Sequence, residues 1–145
     1  MKRHTSLIPL SREHHNALIL ARSLQKDTPV YKGMPSDAES KVKLAQKFYE
    51  EELIQHFEEE EKILTLIGGI NAPIDLLAEI ILREHEELKM LFKSLDNSRD
   101  LAASLDTLGK TLENHIRTEE RQLFPLIQES CDDQTMIEIE KILNA

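Results

Sequence analysis

Of the chain's 145 residues, none is tryptophan, one is cysteine, four are glycine and five are proline. The lone Cys131 excludes an internal disulfide, and such cysteine usage fits a reducing compartment. A cytoplasmic protein is the expectation. No apolar run approaches the ~18 residues that read as a membrane span. The opening MKRHTSLIPLSREHH starts basic but lacks the apolar stretch of a signal peptide. A basic cluster is also missing, and the net charge is −9 with histidine neutral. Nucleic-acid affinity comes from neutralising phosphates. Binding to anionic membranes draws on polybasic segments. Neither partner is expected.

What remains is rich in Leu, Ile, Glu, Lys and Ala, with aromatics at only 4%. That composition and length fit one all-α domain spanning 1–145. A first helix is read from about Leu10 to Lys26, where Leu10, His14, Ala17/Leu18, Ala21 and Leu24 recur at helical spacing. Pro9 suits its start and Ser11 could cap it. DTPVYKGMPS at 27–36, including Tyr31 and Met34, reads as a loop. A second helix runs from about Asp37, capped by Ser36 or Asp37, to Ile67, and Gly68-Gly69 ends it.

Asn71 and Pro73 start a third helix reaching about Leu95, with Leu77, Ile81, His85, Leu88 and Leu95 on one face. A fourth runs from about Ser98 to Gln128, and Pro125 should kink or tighten its last turns. A short fifth helix covers about 133–144, after a bundle of about 9–128. Long amphipathic helices with short connections read as an antiparallel up-down-up-down four-helix bundle.

The chain has six histidines, and four fall on the inward stripes, one per long helix: His14, His56, His85 and His115. The stretches HFEEEE (56–61) and HIRTEE (115–120) share H-x-x-x-E-E, and SREHH (11–15) and LREHE (82–86) share R-E-H. The chain therefore looks like two helical hairpins of one plan. Residues at i and i+4 have Cβ atoms roughly 5–6 Å apart on one helix face. A His and a Glu so spaced can bind one ion, or the Glu can bridge two. Bridging carboxylates hold metals at about 3.5–4 Å. Imidazole with carboxylate suits Fe, Zn, Cu or Ni better than Mg or Ca. A single inward histidine is ordinarily a hydrogen-bonded core residue. Four of them with two carboxylates need compensation for buried charge, and metal ions supply it.

These motifs, S-R-E-H (11–14), H-F-E-E-E-E (56–61), R-E-H-E (83–86) and H-I-R-T-E-E-R-Q-L-F-P (115–125), resemble those of hemerythrin-like, or HHE cation-binding, domains. The resemblance covers about residues 5–128. It implies a four-helix bundle around a non-haem di-iron site, oxo- or hydroxo-bridged, with zinc as the alternative metal. It implies His14, His56, Glu60, His85, His115 and Glu119 as metal ligands, with Glu60 and Glu119 bridging. Expected ligands are O2, NO or peroxide, in sensing, iron handling or oxidative and nitrosative defence. Turnover, as in peroxide or iron-centre repair chemistry, is left open.

The oxygen carriers of the family have a fifth histidine where this chain has Lys89. They also place an aspartate one residue beyond the position of Glu119. Both departures speak against reversible oxygen carriage. A reading of a different class is a non-redox interaction module with a structural or vestigial metal site, working through a protein partner or homodimer.

Other residues carry blander readings. Periodicity favours His14 over His15, which is read as a boundary residue. His4 reads as part of a frayed terminus. Glu61 and Glu120 read as surface or hydrogen-bond acceptors, and Glu13 and Glu84 as candidates for setting histidine tautomers. Tyr49 reads as core packing, with a redox or gating role as the alternative. Cys131 reads as a spectator.

Overall fold

The computed structural model describes residues 2–29 and 32–145. Tyr31, read above as a loop residue, lies outside them. The described residues are helical, with no strand among them. The helices are α1 (Ile8–Ser23), α2 (Ala38–Phe48), α3 (Ile54–Ile67), α4 (Ala72–Ser94), α5 (Leu101–Thr118), α6 (Phe124–Ser130) and α7 (Asp133–Leu143). Two π turns, Tyr49–Leu53 and Glu119–Leu123, join α2 to α3 and α5 to α6. Four long rods result, at 8–23, 38–67, 72–94 and 101–130, and they pack into a helical bundle closed at one end by α7.

Local chemistry sets most boundaries. The side chains of Asp37, Asn71, Asp100 and Asp132 each accept a hydrogen bond from the backbone N–H three residues on. Each thereby satisfies one donor that the first helical turn leaves free. Gly69, with φ at 86°, carries the chain out of α3 in a conformation that costs glycine little.

The start of α1 departs from expectation. It begins two residues earlier, from a 3-10 turn over Thr5–Leu7, and its cap position is Leu7 without a side-chain bond. Ser11 is therefore inside the helix and does not cap it. His4 is not frayed, since its Nδ1 accepts from Ser6 N–H and its own N–H donates to Gln128 Oε1.

Pro125 also acts differently from expectation. It sits in the first turn of α6, and the turn before it is widened rather than tightened. The Phe124 N–H reaches back five residues to the Glu119 carbonyl. On an α-helix of 3.6 residues per turn, a four-residue step drifts about 40°. His115, Glu119, Leu123 and Ile127 are spaced by fours and all are buried. The wide turn absorbs the drift and keeps all four facing inward.

The core forms two apolar ends. One contains Ala17, Leu24, Phe57, Leu88, Phe92, Leu108, Leu112 and their neighbours. The other contains Leu7, Leu10, Ile63, Ile67, Ile74, Ile81, Phe124 and Ile127, with Met136 and Ile139 of α7 laid over it. Gly109 sets the approach of α5 to α1. A Cβ there would run into the Ala21 carbonyl oxygen and lie 3.2 Å from Leu24 Cβ. Each rod passes from one apolar end to the other, and where it changes ends its inward residue is polar.

Candidate metal centre

In that middle layer His14 comes from α1, His56 and Glu60 from α3, His85 from α4, and His115 and Glu119 from α5 and its π turn. All six are buried, none more than 3% exposed. His14 Nε2 is 3.4 Å from both Glu60 Oε2 and Glu119 Oε1. His56 Nε2 is 3.1 Å from Glu60 Oε2, and His85 Nε2 is 3.1 Å from Glu60 Oε1. His115 Nε2 is 2.8 Å from Glu119 Oε1. Glu60 thus turns one oxygen to each half of the layer. Two quartets result, His14/His56/Glu60/Glu119 and Glu60/His85/His115/Glu119, in each of which the ligand atoms lie within 4.8 Å of one another. Both carboxylates are common to both. His15, one residue from His14, is on the surface.

The inward atoms satisfy one another only in part: His85 Nε2 and Glu60 Oε1 share a hydrogen bond, and other close pairs meet in ion-pair contact without hydrogen-bond geometry. His14 Nε2, Glu60 Oε2, His115 Nε2 and both oxygens of Glu119 are buried without a hydrogen-bond partner. Such orphans are rare and costly in a native interior. A cation between them would meet them together, so the donor set fits divalent metal ions with imidazole and carboxylate ligands.

The outward ring nitrogens are all held. His14 Nδ1 is 2.7 Å from Glu120, His56 Nδ1 is 3.2 Å from Glu13, His85 Nδ1 is 2.8 Å from Glu61, and His115 Nδ1 is 2.7 Å from Glu84. An ionised carboxylate can only accept, so each Nδ1 keeps its proton. Each inward Nε2 is then the atom free to bind an ion. Every outer carboxylate is the sequence neighbour of one of the six inner residues. Glu13 precedes His14, Glu84 precedes His85, Glu61 follows Glu60 and Glu120 follows Glu119. The rings are also stacked: Phe57 on His85 at 4.2 Å and Phe124 on His14 at 5.5 Å between centroids.

Without metal, the layer is a network of ion pairs. Burial opposes charge on His56 most strongly, yet the Glu60 and Glu13 carboxylates together outweigh it and the pKa rises to about 9. Burial likewise opposes charge on His115, and Glu119, with Glu84 and Glu60, raises it to about 10. Glu119, Glu120 and Glu60 overcome burial to raise His14 well above its ordinary value. Burial would raise Glu60, but the facing His56 leads the interactions that hold it well below the usual carboxylate range.

Residues 76–141 match the hemerythrin HHE cation binding domain. The matched span contains His85, His115 and Glu119 together with Glu84 and Glu120. His14, His56 and Glu60 lie outside it, in the half that carries the same motifs, and they meet the matched residues in one layer. No curated protein and no solved structure matches the chain. Lys89, at the place of the oxygen carriers' fifth histidine, is on the outer side of His85. Its Nζ is 3.3 Å from Glu86 and 3.8 Å from Glu61. It does not enter the layer. Glu120, where those carriers place aspartate, holds His14 from outside.

Tyr49 stacks on Phe92 at 4.7 Å, as expected of a packing residue. The sequence reading missed Phe57, Phe124 and Ser11 as supports of the site, although all three lie within its motifs. No helix among the described residues is long and apolar enough to cross a membrane.

Proposed function

We propose that this protein binds two iron ions in an antiparallel four-helix bundle and presents them to O2, NO or peroxide. His14 and His56 hold one ion, His85 and His115 the other, and Glu60 and Glu119 bridge them. The carrying observation is the pair of overlapping quartets, in which five buried ligand atoms make no hydrogen bond. Four imidazoles and two shared carboxylates leave coordination positions that the chain's own side chains do not fill. Iron there would supply reversible redox chemistry and affinity for small diatomic ligands.

The protein's part is to hold and shield. Glu13, Glu61, Glu84 and Glu120 keep the proton on each outer nitrogen and fix each ring. Phe57 and Phe124, each 1% exposed, cover two of the rings and keep water out. A site of this kind inside a bundle supports a sensing, iron-handling or defence role.

The test is the metal content and ultraviolet–visible spectrum of protein made in iron-replete cells. About two irons per chain and a near-ultraviolet band that shifts on adding NO or peroxide are expected. One zinc per chain, or no metal after anaerobic iron loading, would overturn the di-iron reading.

A further inference from the structure

The ligand layer has near-twofold symmetry, but its supports do not. Relating R-E-H at 12–14 to R-E-H at 83–85 puts His14 opposite His85 and Ser11 opposite Leu82. The same relation puts Glu120 opposite Glu61. Glu120 is fixed from three sides. The Ser11 hydroxyl lies 3.0 and 2.9 Å from its two oxygens. The Arg3 guanidinium donates to its backbone carbonyl at 2.8 Å and reaches its side chain at 3.4 Å. His14 Nδ1 completes the set at 2.7 Å.

Arg3 is itself anchored. It donates to Gln128 Oε1 and lies 5.2 Å over the Phe124 ring that stacks on His14. Gln128 in turn donates to the Lys2 carbonyl and accepts from His4 N–H, so residues 2–4 are strapped across the end of the fourth rod. Glu61 has no such frame. Leu82 offers no hydroxyl, and the nearest cation, Lys89, stands 3.8 Å away and closer to Glu86.

The other two outer pairs run the opposite way, with His56–Glu13 at 3.2 Å and His115–Glu84 at 2.7 Å. Neither Glu13 nor Glu84 has a further support among the described residues, so that contrast is one hydrogen bond's length. The contrast at Glu120 is a whole set of donors.

We propose that Ser11 and Arg3 are positioning residues that make the two metal positions unequal, so that the one between His14 and His56 fills first and empties last. The proposal rests on the two-metal reading above. A ring held in its binding orientation before the ion arrives loses less freedom on binding, and outer partners of a ligating histidine change metal affinity by about 10–100-fold. Ser11 and Arg3 act on the ion only through Glu120 and His14.

Zinc ions titrated into metal-free protein provide the test, followed by calorimetry and by the 15N resonances of the histidine rings. The wild type should bind in two steps at least about tenfold apart, with His14 and His56 shifting in the first. The Arg3→Ala/Ser11→Ala double variant should weaken the first step by about 10–100-fold and merge it with the second. Ser11→Thr, which keeps the hydroxyl, should retain two steps, and Leu82→Ser should tighten the second.

Two equal steps in the wild type would overturn the proposal. So would His85 and His115 shifting first, or a double variant with unchanged affinities. If the double variant does not fold, the order of ring shifts in the wild type and the Leu82→Ser result decide it. Wild-type protein that takes up no zinc would overturn the two-metal reading itself, a result distinct from two equal steps.

Discussion

The two halves of the polar layer present the same side chains from different surroundings. Residues 8–67 bring His14, His56 and Glu60, and residues 72–123 bring His85, His115 and Glu119. In the first half Ser11 and the strapped Arg3 frame the carboxylate behind His14. In the second, Glu61 stands behind His85 with one distant lysine. A Glu four residues after a His is a local device, set by helix geometry alone. What stands behind each ring depends on which residues of other rods arrive there. Repetition therefore fixes which atoms can bind, and packing decides how firmly each is held.

The largest effects should come from removing what the halves share. Glu60→Ala or Glu119→Ala strips a ligand from both quartets and should abolish binding of the ion pair. His56→Ala or His115→Ala should leave about one ion per chain, since each belongs to one quartet. His14→Ala should behave like them, whereas His15→Ala should leave metal content unchanged. Metal analysis of the purified variants checks all of these. Full metal content in both carboxylate variants would break the shared-ligand account.

A smaller effect concerns the seam through which the first rod meets the fourth. Gly109→Ala must push its new methyl against the Ala21 carbonyl, and overpacking of this kind costs about 1–3 kcal/mol. Denaturant unfolding should show that loss. An unchanged midpoint would mean that α1 and α5 can separate freely.

The most graded effect is that of pH. Charge on His56 and His115, with pKa values raised to about 9 and about 10, stabilises the metal-free fold. That contribution is complete below the unfolded histidine value of ~6.5 and is lost as pH climbs through the raised values. Metal affinity moves the other way, because each Nε2 proton must leave before an ion binds. Between about pH 6 and 9 the melting temperature of metal-free protein should fall while zinc affinity rises. Zinc affinity falling over that range would contradict the ion-pair account.

Much of this was legible in the sequence, and the remainder for physical reasons was not. The stripe Leu10, His14, Ala17, Ala21 separates His14 from His15 by helical phase, and the structure buries the first and exposes the second. Glu13 and Glu84 stood out because they adjoin His14 and His85. Caps at Asp37 and Asn71 are local chemistry and were readable. The roles of Ser11, Arg3 and His4 were not, because their partners Glu120 and Gln128 are more than one hundred residues away. The π turns escaped too. A run of four-residue spacings can be met by supercoiling or by one wide turn, and the pattern alone does not choose. Lys89 shows the same limit, since its distance from the layer depends on how α4 is rotated.

The most direct test of the shared-carboxylate centre is X-ray absorption on fully iron-loaded protein, with the ions counted in the same sample. The account predicts two ions per chain and a metal–metal scattering vector of about 3.5–4 Å. One ion per chain, or two without a metal–metal vector, would contradict it.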